Sequence, residues 1–168
     1  RFRAVWFGMR EEDFPFRQGE EIDIAVTVER NEFRGEVRPS VFIRAAKLSG
    51  CDDDGLFAGF SLYDRVKYKT QVSIEDKAAA CPDRQIIKDV FRAVRRSPAR
   101  VGEEENLTLR LSMPSYEVCR VHIALDALCQ TGVILIRDGY YVTSDSGEKV
   151  SLMESDILKK LGYTQKQG

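Results

Sequence analysis

Few residues of this chain have the types and spacing that catalysis requires. Phosphodiester hydrolysis usually depends on a metal cluster or on an acid–base pair. The sequence has one histidine, His122, at a position that fits a helix, and it contains no G-x-S-x-G, P-loop or H-x-x-x-H motif. We therefore expect the chain to be catalytically silent, with no catalytic residue.

The possible metal ligands are scattered. The cysteines are Cys51, Cys81, Cys119 and Cys129, without the close pairs that zinc sites use. The acidic run that begins at Asp52 resembles a calcium loop, but its twelfth position is Tyr63, where an EF-hand needs a bidentate glutamate. We expect no metal site and no cofactor in this chain, reduced thiols, and a solvated acidic turn.

Binding chemistry has more support, near the N-terminus. Trp6, Phe7 and Phe33 offer flat rings that could stack on bases. The cations close to them are Arg3, Arg30, Arg34, Arg38, Arg44 and Lys47. Acidic residues alternate with these arginines, which is also the pattern of a solvated hairpin. The net charge of −1 excludes a protein that coats nucleic acid by bulk charge, so such binding must use a local patch.

Three predicted strands carry these residues. They cover residues 2–7, 22–28 and 41–46, and the second has Ile22, Ile24, Val26 and Val28 on one face. The Asn and Gly of residues 31–35 suit a turn. The connections are short, so we predict an antiparallel meander over residues 1–48.

The next segment, residues 49–81, is predicted to contain an acidic turn, a helix and a polar connector. The helix is indicated by apolar residues at helical spacing, namely Leu56, Phe57, Phe60, Tyr63 and Val66, although Gly59 weakens it. The connector covers residues 70–81.

Residues 82–168 are predicted to form a winged-helix-like domain. Its elements, in order, are a helix after Pro82, a strand at residues 107–111, a helix that ends before an αL-capping Gly132, a hairpin that turns at Asp138-Gly139, and a last helix with a Ser151–Glu154 capping box.

The helices of this domain have two exposed faces of interest. An apolar face of the second helix lies opposite its predicted core stripe, and it comprises Tyr116, Cys119, Ile123 and Ala127. Such a face suits a protein neighbour better than a phosphate backbone, so we predict a partner face here. The first helix has a basic stripe of Arg84, Lys88, Arg92, Arg95 and Arg96, which could contact DNA, although charge opposite a core stripe is usually only a solvated surface.

The N-terminal stretch resembles a known family. A-V-W-F-G at residues 4–8, followed by G-E-E-I-D-I-A-V-T-V-E-R-N-E-F-R-G at residues 19–35, is similar to the oligonucleotide-binding (OB) barrel of RecJ, the bacterial single-stranded-DNA-specific exonuclease. V-E-R-N-E-F-R-G is the most specific part. P-D-R at residues 82–84 and K-V-S-L-M-E-S at residues 149–155 are shorter matches to the tail of this family.

The resemblance implies an α+β chain, with a partial antiparallel OB-type barrel followed by a winged-helix-like α/β domain. It implies the C-terminal part of a RecJ-like 5′-to-3′ exonuclease, whose Asp-His-His catalytic core with Mn or Mg lies outside this sequence. The DNA-binding residues would be Arg3, Trp6, Arg30, Phe33, Arg34 and Arg44. The partners would be single-stranded DNA, the parent catalytic core and another replication or repair protein.

The resemblance also places the protein in the cytoplasm, and no apolar run approaches the roughly 20 residues of a membrane span. The missing opening strands should leave an unpaired edge near Phe2 or Val41, which would pair with a second copy or be covered by residues 56–66. One alternative stays open. The chain could be a winged-helix interaction or regulatory module on a small β domain, with no role in DNA degradation.

Overall fold

The computed structural model describes residues 3–33, 35–145 and 150–164. It has a mixed α+β fold with small open sheets, in agreement with the predicted fold class at that level. The chain divides into two compact units, here called the N-terminal unit (Arg1–Cys51) and the C-terminal unit (Asp52–Gly168). The segment predicted as a separate turn, helix and connector, residues 49–81, therefore falls almost entirely within the C-terminal unit.

The N-terminal unit is built on a three-stranded sheet of β1 (Ala4–Val5), β2 (Ile22–Phe33) and β3 (Glu36–Leu48). β2 and β3 form a long antiparallel hairpin, while β1 pairs with the other side of β3 in parallel. The predicted all-antiparallel meander is wrong at β1. Parallel neighbours need a crossover of a dozen or more residues, and the chain between β1 and β3, residues 6–35 with β2 included, is long enough to supply one.

The edges of this sheet agree with one of the two predicted options, since β1, the strand predicted near Phe2, lies at an edge, and disagree with the other. Val41 of β3 is paired on both sides, with Ala4 and with Val28, so the strand near Val41 is central. The edges are β1 and the long β2. Residues 56–66, the segment predicted as a possible cover, belong to the C-terminal unit.

Register divides the hairpin into two faces, because residues directly opposite each other in an antiparallel pair share a side. Thr27, Glu29, Asn31, Ser40 and Phe42 define what we call the polar face. The other side, the apolar face, carries Ile22, Ile24, Val26 and Val28 of β2 and Val41 and Ile43 of β3. The predicted alternation in β2 is confirmed.

The C-terminal unit begins with two helices, α1 (Asp53–Tyr68) and α2 (Ile74–Ala80). α1 confirms the helix predicted from its apolar spacing. α2 lies inside the segment predicted as a connector, because Ser73 caps it by accepting from the Asp76 N–H and three alanines favour helix. Both helices pack against α5 (Val118–Gln130).

α3 (Arg84–Arg96) begins where predicted, after the capping residue Asp83. The strand predicted at residues 107–111 is wrong, since this segment lies largely in helix α4 (Glu104–Arg110). Glu104, Leu107 and Thr108 are buried, and their spacing of three and four residues is that of one helix face. This helical spacing outweighs the alternation of leucines on which the strand prediction was based. A strand occurs earlier in the chain, as β4 (Ala99–Arg100).

The rest of the C-terminal unit follows the predicted order. Gly132 after α5 has φ +72°, as the αL cap requires, and β5 (Ile134–Arg137) pairs with β6 (Tyr140–Thr143) across Asp138-Gly139. β4 joins the far side of β6. α6 (Asp156–Leu161) is capped by Ser155; the predicted cap Ser151 instead starts a 3-10 turn at Leu152–Glu154.

One hydrophobic core, centred on α5, organises the C-terminal unit. Val121, Ile123, Ala124 and Leu125 of this helix are fully buried. In the part of the chain that the structure describes, no helix is long and apolar enough to cross a membrane.

Candidate nucleic-acid interface

A pair of stacked aromatic rings, one of them exposed, lies on the polar face of the N-terminal unit. The rings of Phe7 and Phe42 stack with their centroids 5.4 Å apart and their planes 22° from parallel. Phe7 is 72% exposed, so the outer side of its ring is open. A nucleic-acid base could stack on that side, because base–aromatic stacking needs only an accessible flat ring.

Arg44 lies beside this pair because of an irregularity in β3. Ala25 pairs with Ala45 and Val26 pairs with Ile43, so Arg44 is an extra residue on β3. Such a bulge redirects a side chain. The Arg44 Nε donates to Thr27 Oγ1 at 2.9 Å, which fixes the exposed guanidinium on the polar face. Thr27 is the residue of β2 that lies directly opposite Phe42.

Polar contacts order the remainder of this face. Asn31 Nδ2 donates to Ser40 Oγ at 2.7 Å, and the Ser49 hydroxyl donates to Asp23 at 2.7 Å. Lys47 lies opposite Asp23 in the register. The carboxylates of Asp23 and Glu29, which also lie on this face, limit its positive charge.

The structure separates the predicted DNA-binding residues. Arg44 is on the polar face, but Arg30 lies opposite Pro39, on the same side as Val28. Trp6 is half-buried and its ring meets the edge of Phe14 at a centroid distance of 6.3 Å, which leaves less of the ring open than at Phe7. Arg3 is exposed.

Two of the predicted DNA-binding residues have side chains that the structure does not describe. Phe33 is the last residue of β2, and Arg34 lies outside the described residues. Phe42 was placed in the predicted strand at residues 41–46 but not among the rings that could stack on bases, and Phe7 was not among the predicted site residues. The alternation of Trp6 and Phe7 indicates that they point to opposite sides, but only the parallel pairing of β1 with β3 brings Phe7 to Phe42.

The predicted partner face of α5 is not a surface. Cys119, Ile123 and Ala127 are buried, and of the four predicted residues only Tyr116 is exposed. The reason is that α1 and α2, which were not expected to belong to this domain, pack against α5. Burial raises the pKa of the Cys119 thiol to about 12, so this cysteine remains protonated and unreactive.

The same packing creates a buried polar cluster around His122. The rings of His122 and Tyr63 stack at 3.8 Å, and the Tyr63 hydroxyl donates to Asp126 at 2.7 Å, with Lys67 donating to Tyr63. The His122 Nε2 lies 3.8 Å from a Glu104 oxygen that accepts from the Tyr141 hydroxyl. No described residue hydrogen-bonds the buried His122 Nδ1.

The protonation states in this cluster favour a structural role over a catalytic one. Burial, and then the neighbouring Asp126, raise the pKa of Tyr63 far above its usual range, so its hydroxyl stays protonated. Burial lowers the pKa of His122, against the pull of Glu104. Among the residues that the structure describes, no group of three His, Cys, Asp or Glu side chains could hold a metal ion.

Comparison with known proteins identifies no relative of this chain. No family model matches it, and neither does any curated protein or solved structure. The function therefore has to be argued from the geometry of the polar face and from the sequence pattern.

Proposed function

We propose that this chain is the single-stranded-DNA-binding, accessory C-terminal part of a RecJ-like exonuclease of the cytoplasm. Hydrolysis would belong to a separate catalytic core that uses Mn or Mg. The V-E-R-N-E-F-R-G pattern supports the family, and the polar face supports the activity. The chain would hold a single strand near that core without cutting it.

The observation that carries the proposal is the Phe7–Phe42 stack beside Arg44. The exposed ring of Phe7 would extend the stack to a base, while the Arg44 guanidinium would neutralise the adjacent phosphate. Both side chains are ordered before binding, by the ring stack and by the bond to Thr27. The conformational entropy that binding costs is then smaller.

The strand pairing supports an OB-type barrel. One parallel pair beside a long, bulged antiparallel hairpin is compatible with part of a five-stranded Greek-key barrel. The apolar face would point into such a barrel. The polar face, which carries the stack and Arg44, would then be the outer one.

The C-terminal unit supports a winged-helix-like domain through its order α3, β4, α4, α5 and the hairpin β5–β6. This order favours the alternative function, an interaction or regulatory module. In DNA-binding proteins with such folds, an exposed recognition helix enters the groove of the duplex. The helix at that position here is α5, and its burial argues against groove reading. An Asp-His-His core encoded in the same reading frame would decide for the RecJ-like protein.

Phe7→Ala tests the proposal directly. We expect this change to weaken binding of a fluorescein-labelled oligothymidylate by about 5- to 150-fold at low salt, since one stacked base contributes about 1–3 kcal/mol. Fluorescence anisotropy measures the affinity. Phe57→Ala is the matched control, because Phe57 is similarly exposed at 76% but lies on α1 in the other unit. Equal affinities for wild type and Phe7→Ala would reject the site.

Arg44→Ala and Arg30→Ala compare the two faces of the hairpin. Arg44→Ala should lower the slope of log affinity against log salt by about 0.7, the contribution of one phosphate on a single strand. Arg30→Ala, on the opposite side, should leave the slope unchanged. A reduced slope with Arg30→Ala alone would place the DNA on the other face.

A further inference from the structure

α3 of the C-terminal unit has a concentration of positive charge that is unusual for a chain of net charge −1. Arg84, Lys88, Arg92, Arg95 and Arg96 are all exposed, and we call them the α3 stripe. The helix has a single carboxylate, Asp89, which accepts from Gln85 and Arg92. Within the described part of the chain, the other four cations form no ion pair.

The geometry of the α3 stripe is linear. At about 100° per residue, Arg84, Lys88, Arg92 and Arg95 lie within about 80° of one another, and Arg96 borders them. The opposite side is buried, through Ile86, Ile87, Val90 and Val94. With a rise of about 1.5 Å per residue, the stripe runs for about 18 Å along the surface.

Helix stability does not account for the whole stripe. Cations in the last turn, such as Arg95 and Arg96, complement the negative end of the helix dipole. Arg84 is the first residue of the helix, where the dipole disfavours a cation, and the carboxylate of the capping Asp83 beside it accepts from the Ile86 N–H. Among the residues that the structure describes, Lys88 has no ion-pair partner. An external anion would compensate both charges.

We propose that the α3 stripe is a second contact site for single-stranded DNA, which binds the phosphate backbone without regard to sequence. This inference rests on the proposed function, which supplies the ligand. The stripe contains no aromatic side chain, so it would contact phosphates while the N-terminal unit stacks a base. α5 is buried, whereas the five cations of α3 are exposed.

An acidic peptide is a different ligand for the same charge. Peptide recognition usually adds an apolar pocket to the charged contacts, whereas backbone phosphates require cations alone. The neighbours of the stripe on the exposed side of α3 are Gln85 and Asp89, both polar. The observations therefore favour the nucleic-acid backbone.

The test uses the full chain and the oligothymidylate anisotropy assay at several salt concentrations. Arg84→Gln/Lys88→Gln should lower the slope of log affinity against log salt by about 0.7 for each phosphate that is no longer neutralised, up to about 1.4. Lys69→Gln/Lys159→Gln is the control, since it removes the same charge from exposed positions outside the stripe. Equal slopes for the stripe and control variants would overturn the inference.

The outcomes separate this inference from the proposed function. A normal slope for the stripe variant together with weak binding by Phe7→Ala overturns the inference alone. A reduced slope for the stripe variant with unchanged binding by Phe7→Ala supports the stripe and rejects the site on the polar face. No binding by the wild-type chain overturns both. Competition by polyglutamate that is as strong as by the oligonucleotide, and that disappears in the stripe variant, would assign the stripe to acidic peptides.

Discussion

The two units bury their apolar residues to very different extents. In the C-terminal unit, side chains such as Val66, Val90 and Leu125 have no exposed surface. Among the described residues of the N-terminal unit, only Phe16 and Leu48 are buried apolar side chains, and Val28 on the apolar face is 62% exposed. Alternation in a strand therefore establishes which side is apolar, but not whether that side is covered.

This difference has an energetic consequence. Apolar burial contributes about 25 cal/mol per Å², and small domains bury too little of their surface to be very stable. The C-terminal unit has a closed core of its own, whereas the sheet of the N-terminal unit retains an open apolar face.

A cavity in the closed core should have the largest effect. Leu125→Ala should lower the free energy of unfolding of the C-terminal unit by about 2–5 kcal/mol, while Val28→Ala in the open sheet should change stability by less than about 0.5 kcal/mol. Far-ultraviolet circular dichroism reports the C-terminal unit, which contains α1–α6, and the single tryptophan, Trp6, reports the N-terminal unit. Similar destabilisation by both substitutions would contradict the comparison.

A substitution that adds a methyl group should also affect the stability of the two units differently, but by a smaller amount. A Cβ at Gly59 would lie 2.6 Å from Val118 Cγ1 and 2.7 Å from the Tyr116 carbonyl oxygen, so Gly59→Ala should cost about 1–3 kcal/mol in chemical denaturation. Helix propensity alone predicts that Gly59→Ala raises the free energy of unfolding by about 1 kcal/mol. A decrease would therefore show that the steric overlap dominates, and an increase would contradict the close approach. The counterpart is Ala25→Val on exposed β2, which we expect to be close to neutral.

Gly59 also marks where sequence reasoning succeeds and where it stops. The apolar spacing predicts α1 correctly, but glycine at residue 59 looks like a local weakness. It is in fact a close approach between α1 and the segment before α5, a tertiary contact that local patterns do not encode. The packing of α1 and α2 on α5 likewise buries Ile123 and Ala127, which the sequence predicted as a partner face.

The other differences have similar causes. The hairpins were predictable because turn residues such as Asp138-Gly139 act locally. The parallel pairing of β1 was not, because nothing within residues 2–7 specifies which strand it joins. The candidate site also has a predictable part and an unpredictable part. Arg44 was predicted because it is a cation in the strand-rich stretch, whereas the Phe7–Phe42 stack depends on pairing between strands that are distant in the sequence.

The smallest expected effect is a pH dependence confined to the closed core. His122 stacks on Tyr63 there, and the charged groups around it are Glu104, Asp126, Lys67 and Asp64. Burial lowers the pKa of His122 below its value of about 6.5 in the unfolded chain. Below that value the unfolded state therefore binds a proton that the folded state does not, and stability must fall.

The sign of this linkage defines the experiment. The contribution of His122 should be complete above the unfolded pKa and should be lost as the pH falls towards the folded pKa. Between about pH 8 and about pH 5, the transition seen by circular dichroism should therefore weaken more in the wild type than in His122→Gln, which cannot titrate. The two proteins differ only at residue 122, so the difference between their pH dependences reports what the imidazole contributes together with its charged neighbours. An equal or steeper fall in stability for His122→Gln would mean that the folded core accepts the imidazolium, with Glu104 compensating its charge.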